Sequence, residues 1–290
     1  MTPHSSARLS PEQIARTSAY LTEMGERYAS PLIAMQVLFG KFCLAALSAS
    51  TAPWDGLAEQ VTELAINILA HPDPASLGLD PLPVIEIDQR MRQRGVHLPE
   101  VQQILERVGV ELDGLSDELR STGRVRMISA ALSHLNFPCR VASPSKEAAK
   151  LLTDRAAWFG ASAVQLLDLA DHLLANDTEL DETDTRTLAL IALGELRKYR
   201  MDVGCKLLRT IVQLGVPCEE TQDGVDFVAL QRRRDGRYGF SECFEEKPEP
   251  APDANLTLFL PITLNAVWLF ATEATNVVDA PVLVPSGGGA

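Results

Sequence analysis

No Cys-x-x-Cys pair occurs anywhere in the sequence. The five cysteines, Cys43, Cys139, Cys205, Cys218 and Cys243, are scattered and odd in number. That argues against a disulfide framework and for a reduced, cytoplasmic chain with buried or free thiols. Gly-x-Gly-x-x-Gly and Gly-Lys-Ser/Thr are both missing, so no glycine-rich loop is present to cradle a phosphate. The Gly-x-Ser-x-Gly turn that presents a nucleophilic serine is missing too. Positive charge is in short supply: 26 Lys and Arg face 39 Asp and Glu, for a net charge of −13. A nucleic-acid backbone or an anionic membrane needs clustered cations, and the single basic cluster, Arg232 to Arg234, is short and sits among acids. Residues 1–10 are polar, with no basic-then-apolar leader. The longest apolar run, Leu256 to Ala271, is interrupted by Thr257, Pro261, Thr263 and Asn265 and falls short of the roughly 20 residues of a membrane span. It reads as a buried core helix.

What is present is leucine and alanine. Hydrophobic residues make up 46 % of the 290, enough to fill a core, and β-branched runs are few, so helix is the expectation throughout. Ser10-Pro11-Glu12-Gln13 is a strong helix start, with a capping serine, proline in the first turn and glutamine three residues on. Further helices are expected from Pro31 to Ala49, Trp54 to Ala70, Pro81 to Gly95 and Pro99 to Gly109. Others follow from Leu115 to Leu135, Ser143 to Phe159 and Val164 to Ala175. Next come one capped by Thr183 or Asp184 and reaching Tyr199, and one capped by Asp202 and reaching Leu214. A last helix closes the chain over Leu256 to Ala274. Helices joined by short loops pack as antiparallel pairs, and a spacing of about 40–50 residues between units suits stacked or ring-closed hairpins. The expected organisation is a lead at 1–9, one all-α domain at 10–274 with a subdivision near 110–143, and a tail at 275–290.

One stretch reads as a motif. Gln231-Arg232-Arg233-Arg234-Asp235-Gly236-Arg237-Tyr238-Gly239-Phe240 places an Asp-Gly turn and two large aromatics after a helix. Gln231, Asp235, Gly236, Tyr238, Gly239 and Phe240 resemble the helix–turn–aromatic repeat of the α/α-toroid proteins, the terpenoid cyclases and protein prenyltransferase β-subunits. Pro261, Thr263, Leu264 and Trp268 resemble the Pro-x-Thr-Leu-x-x-x-Trp pattern of a bacterial family of shorter toroid-like proteins. The resemblance covers about the last third of the chain. It implies antiparallel helical hairpins in a toroid or partial toroid around an apolar cavity. The cyclase acids and magnesium cluster of those families have no match, since Asp181-Glu182-Thr183-Asp184 departs from both patterns. The prenyltransferase zinc set fails as well: Asp202 and Cys205 would begin it, but the last histidine is His172. No metal and no cofactor are therefore expected.

The remaining candidates are few. Asp168 and His172, four apart on one helix, share a face, which is how a carboxylate orients a general base; a plain ion pair is the other reading. His134 lies close in sequence to Cys139, as a nucleophile pair would or as a helix-end histidine beside a packed thiol would. Arg237, Tyr238, Phe240, Phe244, Phe259 and Trp268 are candidate ligand-binding residues, with Asp235, Arg237 and Glu242 at the mouth, where Asp235 and Glu242 are also candidate catalytic groups. Aromatics at such spacing also serve simply as core. The expected function is a cavity protein for an apolar small molecule or peptide, with a tailoring enzyme of secondary metabolism as its catalytic form. The alternative is a non-catalytic interaction scaffold whose acidic surface meets a protein partner or a second copy.

Overall fold

The first five helices all begin on proline: α1 Pro11–Arg27, α2 Pro31–Leu47, α3 Pro53–Leu69, α4 Pro81–Arg92 and α5 Pro99–Asp113. Proline suits the first turn because its missing N–H has no intrahelical partner there and its φ is already helical. At α1 the expected capping box is present, with Gln13 N–H on Ser10 Oγ and the Gln13 side chain on the Ser10 N–H. The computed structural model describes residues 9–48, 53–71, 77–215, 218–239 and 255–279.

Where helix boundaries depart from expectation, a tertiary contact is the cause. The span from Leu115 to Leu135 divides into α6 Asp117–Arg120 and α7 Gly123–His134, with Thr122 extended between them. Gly123 N–H donates to Asp168 Oδ1 at 2.8 Å, and a Cβ on Gly123 would lie 2.5 Å from the Asp168 carbonyl oxygen. The helix restarts at the residue that can approach its neighbour so closely. The next helix, α8 Lys146–Thr153, gives way to a 3-10 turn at Arg155–Gly160. There Trp158 folds inward, fully buried, its indole N–H donating to Leu151 O at 2.8 Å. α9 Ala163–Ala175 starts on a second capping box, Ser162 with Gln165. α10 Glu182–Arg197 is capped by Asp181, not by Thr183 or Asp184. Asp184 instead takes a bidentate grip from Arg155, with a contact of 2.7 Å. α11 Met201–Leu214 begins one turn position before Asp202, with Arg200 at the cap. α12 is Glu219–Leu230, and a π turn at Asn255–Phe259 leads into α13 Leu260–Asp279, which runs on past Ala274.

The described residues hold helices and no strands, with one isolated antiparallel bridge, Arg232 to Tyr238. The protein is all-α, as the composition implied. One connected apolar cluster runs from Leu9 to Ala271. α11 is buried almost all round, from Val203 to Val212, and packs on α9, α10, α12 and α13. A circuit of packed helices closes through α2, α4, α7, α9, α11 and α13 and back to α2. Among the described residues, Asn255–Thr275 is the one helix long and apolar enough to cross a membrane, and 61 % of its most apolar window is buried inside the protein. That is the pattern of a core helix.

Candidate functional site

The motif after α12 forms a clasp. Asp235 Oδ1 accepts from Arg237 N–H at 3.1 Å, Arg233 N–H donates to Arg237 O at 2.8 Å, and Gly239 N–H donates to Gln231 O at 3.1 Å. Gly236 sits at φ +91°, a conformation open to glycine and strained for other residues. The tip docks on α1: Thr17 Oγ1 donates to Gly236 O at 2.9 Å and Arg16 to Arg234 O at 3.1 Å. The far side docks on α13, where Tyr238 N–H donates to Thr263 Oγ1 at 3.0 Å and the Tyr238 ring, fully buried, meets Phe270 at 5.8 Å. Arg233 and Arg237 lie over the ring of Phe259 at 5.4 and 4.8 Å. Burial works to raise the Asp235 carboxyl, but the hydrogen bonds and charge of Arg237 outweigh it and leave it below its ordinary value. Asp235 is therefore ionised and held, and Arg237 spends its donors on Asp235 and on Asn255 Oδ1 at 2.8 Å. Tyr238 and Phe259 are core residues, and Phe240, Glu242 and Phe244 lie outside the described residues.

A cavity of about 300 Å³ opens elsewhere, among α4, α7, α9, α11 and α13. Leu82 and Ile85 of α4, Met127 and Ala130 of α7, Leu174 of α9 and Trp268 of α13 give it apolar walls. Glu86, Gln89, His134, Asp177, Arg209 and Gln213 supply polar groups. Among the described residues of the candidate ligand-binding set, Trp268 is the one that lines it. Arg209 lies at its inner end, 3 % exposed, its guanidinium carbon 3.2 Å from the centre of the Trp268 ring. Burial lowers its pKa to about 10, with Glu86 and Asp171 working against that shift. It stays charged at neutral pH. Neither Arg209 Nη1 nor Trp268 Nε1 has a hydrogen-bond partner, although both are buried. Such orphaned donors are uncommon in folded proteins and each is costly.

Behind the cavity wall lies a polar layer between α7, α9 and α11. Lys206 Nζ meets Asp171 Oδ2 at 2.6 Å, both buried. Arg126 donates to Ala142 O at 2.7 Å and Asn176 Oδ1 at 2.6 Å, and its third contact is His172 Nδ1 at 2.6 Å. A guanidinium can only donate, so Nδ1 is the acceptor and the ring proton sits on Nε2, 3.3 Å from Asp168 Oδ2. The His172 ring beside it lowers the Asp168 carboxyl; burial opposes this and the Gly123 N–H adds to it. Asp168 and His172 are thus neighbours, as their spacing implied. His172 is 1 % exposed, has its unprotonated nitrogen occupied by Arg126, and does not line the cavity. Among the described residues no group of three His, Cys, Asp or Glu side chains converges as a metal set.

Sequence reasoning passed over Arg209 and Glu86. The signal was there: Leu207-Leu208-Arg209-Thr210-Ile211-Val212 sets one cation in an apolar run, and Val84-Ile85-Glu86-Ile87 sets one acid in another. A lone charge inside an apolar helix is a group that burial makes costly and that needs a partner. No protein-family model, no curated protein and no solved structure matches the chain. The toroid resemblance rests on the residues of the clasp and of α13 alone.

Proposed function

We propose that the protein is a helical cavity protein that binds an apolar small molecule among α4, α7, α9, α11 and α13. The observation that carries this is the cavity itself: apolar walls from α4, α7, α9 and α13, with six polar side chains among its lining residues. That is the usual composition of a ligand site. At about 300 Å³ it lies at the small end of such sites, which favours a small molecule over a peptide. The helix circuit around it is also the kind of arrangement that the toroid resemblance implies, and it supports that reading of the architecture. Binding, not catalysis, is proposed, because the Asp168–His172 pair does not face the cavity.

Native mass spectrometry of the freshly purified full chain tests this, beside an Ala131→Trp variant that fills the cavity. The expected result is a bound small-molecule mass on the wild type that is lost in the variant. Wild-type protein that carries no such mass, and whose melting temperature no apolar compound raises, would return the question to a scaffold with an acidic surface.

A further inference from the structure

We infer that the cavity selects a monocarboxylate, a small acid with an apolar aliphatic or aryl body, whose head group sits on Arg209 and Trp268. This rests on the cavity reading above and adds the chemistry of the ligand's head.

Two observations on the page lead there independently. The first is the orphaned donors. Arg209 Nη1 and Trp268 Nε1 are both buried, both without a partner, and both belong to side chains that line the cavity. The Arg209 guanidinium carbon lies 3.2 Å from the centre of the Trp268 ring. A guanidinium is the side chain best suited to hold a carboxylate.

The second is the charge around the cavity's inner end. Arg90, Lys206 and Arg209 are buried at 7, 8 and 3 % exposure. Against them stand Asp171, at 3 %, and Glu86, whose side chain is 18 % exposed. Lys206 is held by Asp171 at 2.6 Å and Arg90 reaches Glu86 at 3.5 Å. Arg209 forms no ion pair among the described residues, although Glu86 and Asp177 also line the cavity. Arg124, which also bears on Arg209, is taken by Asp80 at 2.7 Å on the surface side. An unpaired cation in the interior is unfavourable in any protein, and here it is kept inside a chain whose overall charge is −13. A ligand carboxylate supplies the missing counter-charge. Asp177 at the rim is exposed, so solvent and salt screen its repulsion of an incoming anion.

The apolar body follows from the remaining wall. Leu82, Ile85, Met127 and Leu174 offer no hydrogen-bonding groups in their side chains, so they reward hydrocarbon alone. An eight-carbon acid or an arylpropionic acid finds both halves of the site.

Calorimetric titration of the full chain with two matched pairs tests the inference: octanoate against 1-octanol, and 3-phenylpropionate against 3-phenylpropanol. The acid of at least one pair is expected to bind about tenfold to a hundredfold tighter than its alcohol, the margin of a charge-assisted hydrogen bond. Arg209→Met keeps an apolar stem of similar reach and is expected to erase that margin, so that acid and alcohol bind alike. Trp268→Phe keeps the ring, removes the N–H, and is expected to narrow the margin. Acid and alcohol binding the wild type equally would overturn the head-group inference and leave the cavity reading standing. Failure of all four probes to bind would overturn both. A margin that survives Arg209→Met, with the circular dichroism unchanged, would show that the carboxylate is recognised elsewhere.

Discussion

Thr263 has one hydroxyl and a fully buried position on α13, and it spends that hydroxyl on the backbone of another segment. The Tyr238 N–H has no other partner, so Thr263→Val leaves a buried amide unsatisfied at nearly constant volume. The expected cost is about 1–3 kcal/mol in urea unfolding, with Thr263→Ser close to wild type. Tyr238→Phe is the control: the Tyr238 hydroxyl is itself unpartnered, so its removal is expected to be neutral or mildly stabilising. Equal stability of Thr263→Val and wild type would mean that the clasp does not depend on this bond. The buried thiols make a second prediction at this scale. Burial pushes both Cys43 and Cys205 from 9.0 up to about 12. Above pH 9 the unfolded chain therefore loses thiol protons that the folded chain keeps. The unfolded state then binds fewer protons, and stability falls as pH rises toward 12. Each thiol steepens that fall by at most about 1.4 kcal/mol per pH unit. Arg209, lowered by burial to about 10, acts in the opposite sense, so the comparison of slopes between variants is the informative one. Cys43→Ala and Cys205→Ala should each flatten the alkaline slope of chemical unfolding; slopes that stay parallel to wild type would refute it.

At the scale of the element, the clasp depends on how closely its backbone meets α1. A Cβ on Gly236 would lie 2.5 Å from the Arg16 carbonyl carbon and oxygen, main-chain atoms that have no rotamer to change, and φ is +91°. Gly236→Ala is expected to cost about 2–3 kcal/mol and to free the Thr17 hydroxyl bond, readable as faster hydrogen exchange near the tip. An unchanged urea midpoint would show that the tip is not pinned. The same scale explains what was legible in the sequence. Proline starts, capping serines and the apolar stripe are local signals, and α1 to α5, α9 and α13 were readable from them. The break before Gly123 was not, because it answers to Asp168, far along the chain. Asp181, Thr183 and Asp184 are all acceptable caps by residue type. Which one acts is decided by Arg155, which claims Asp184. The cavity was hidden for a similar reason: five separate helices build it, and of its lining only Trp268 was among the residues that carried the toroid resemblance.

At the scale of the whole molecule, charge is divided between surface and interior. The sum is −13, yet Arg209, buried beside the cavity, forms no ion pair among the described residues. The clasp has a further consequence, for the time course of synthesis. Thr17 and Gly236, joined by a single hydrogen bond, are 219 residues apart in sequence. At about 5–20 residues per second, α1 leaves the ribosome roughly 10–45 s before its partner exists. Through that interval the faces of α1 and α2 that the clasp and α13 will cover stay open, and Leu21 and Phe39 are within reach of any passing chaperone or nascent neighbour. The surface of α1 is therefore made well before the segment that covers it.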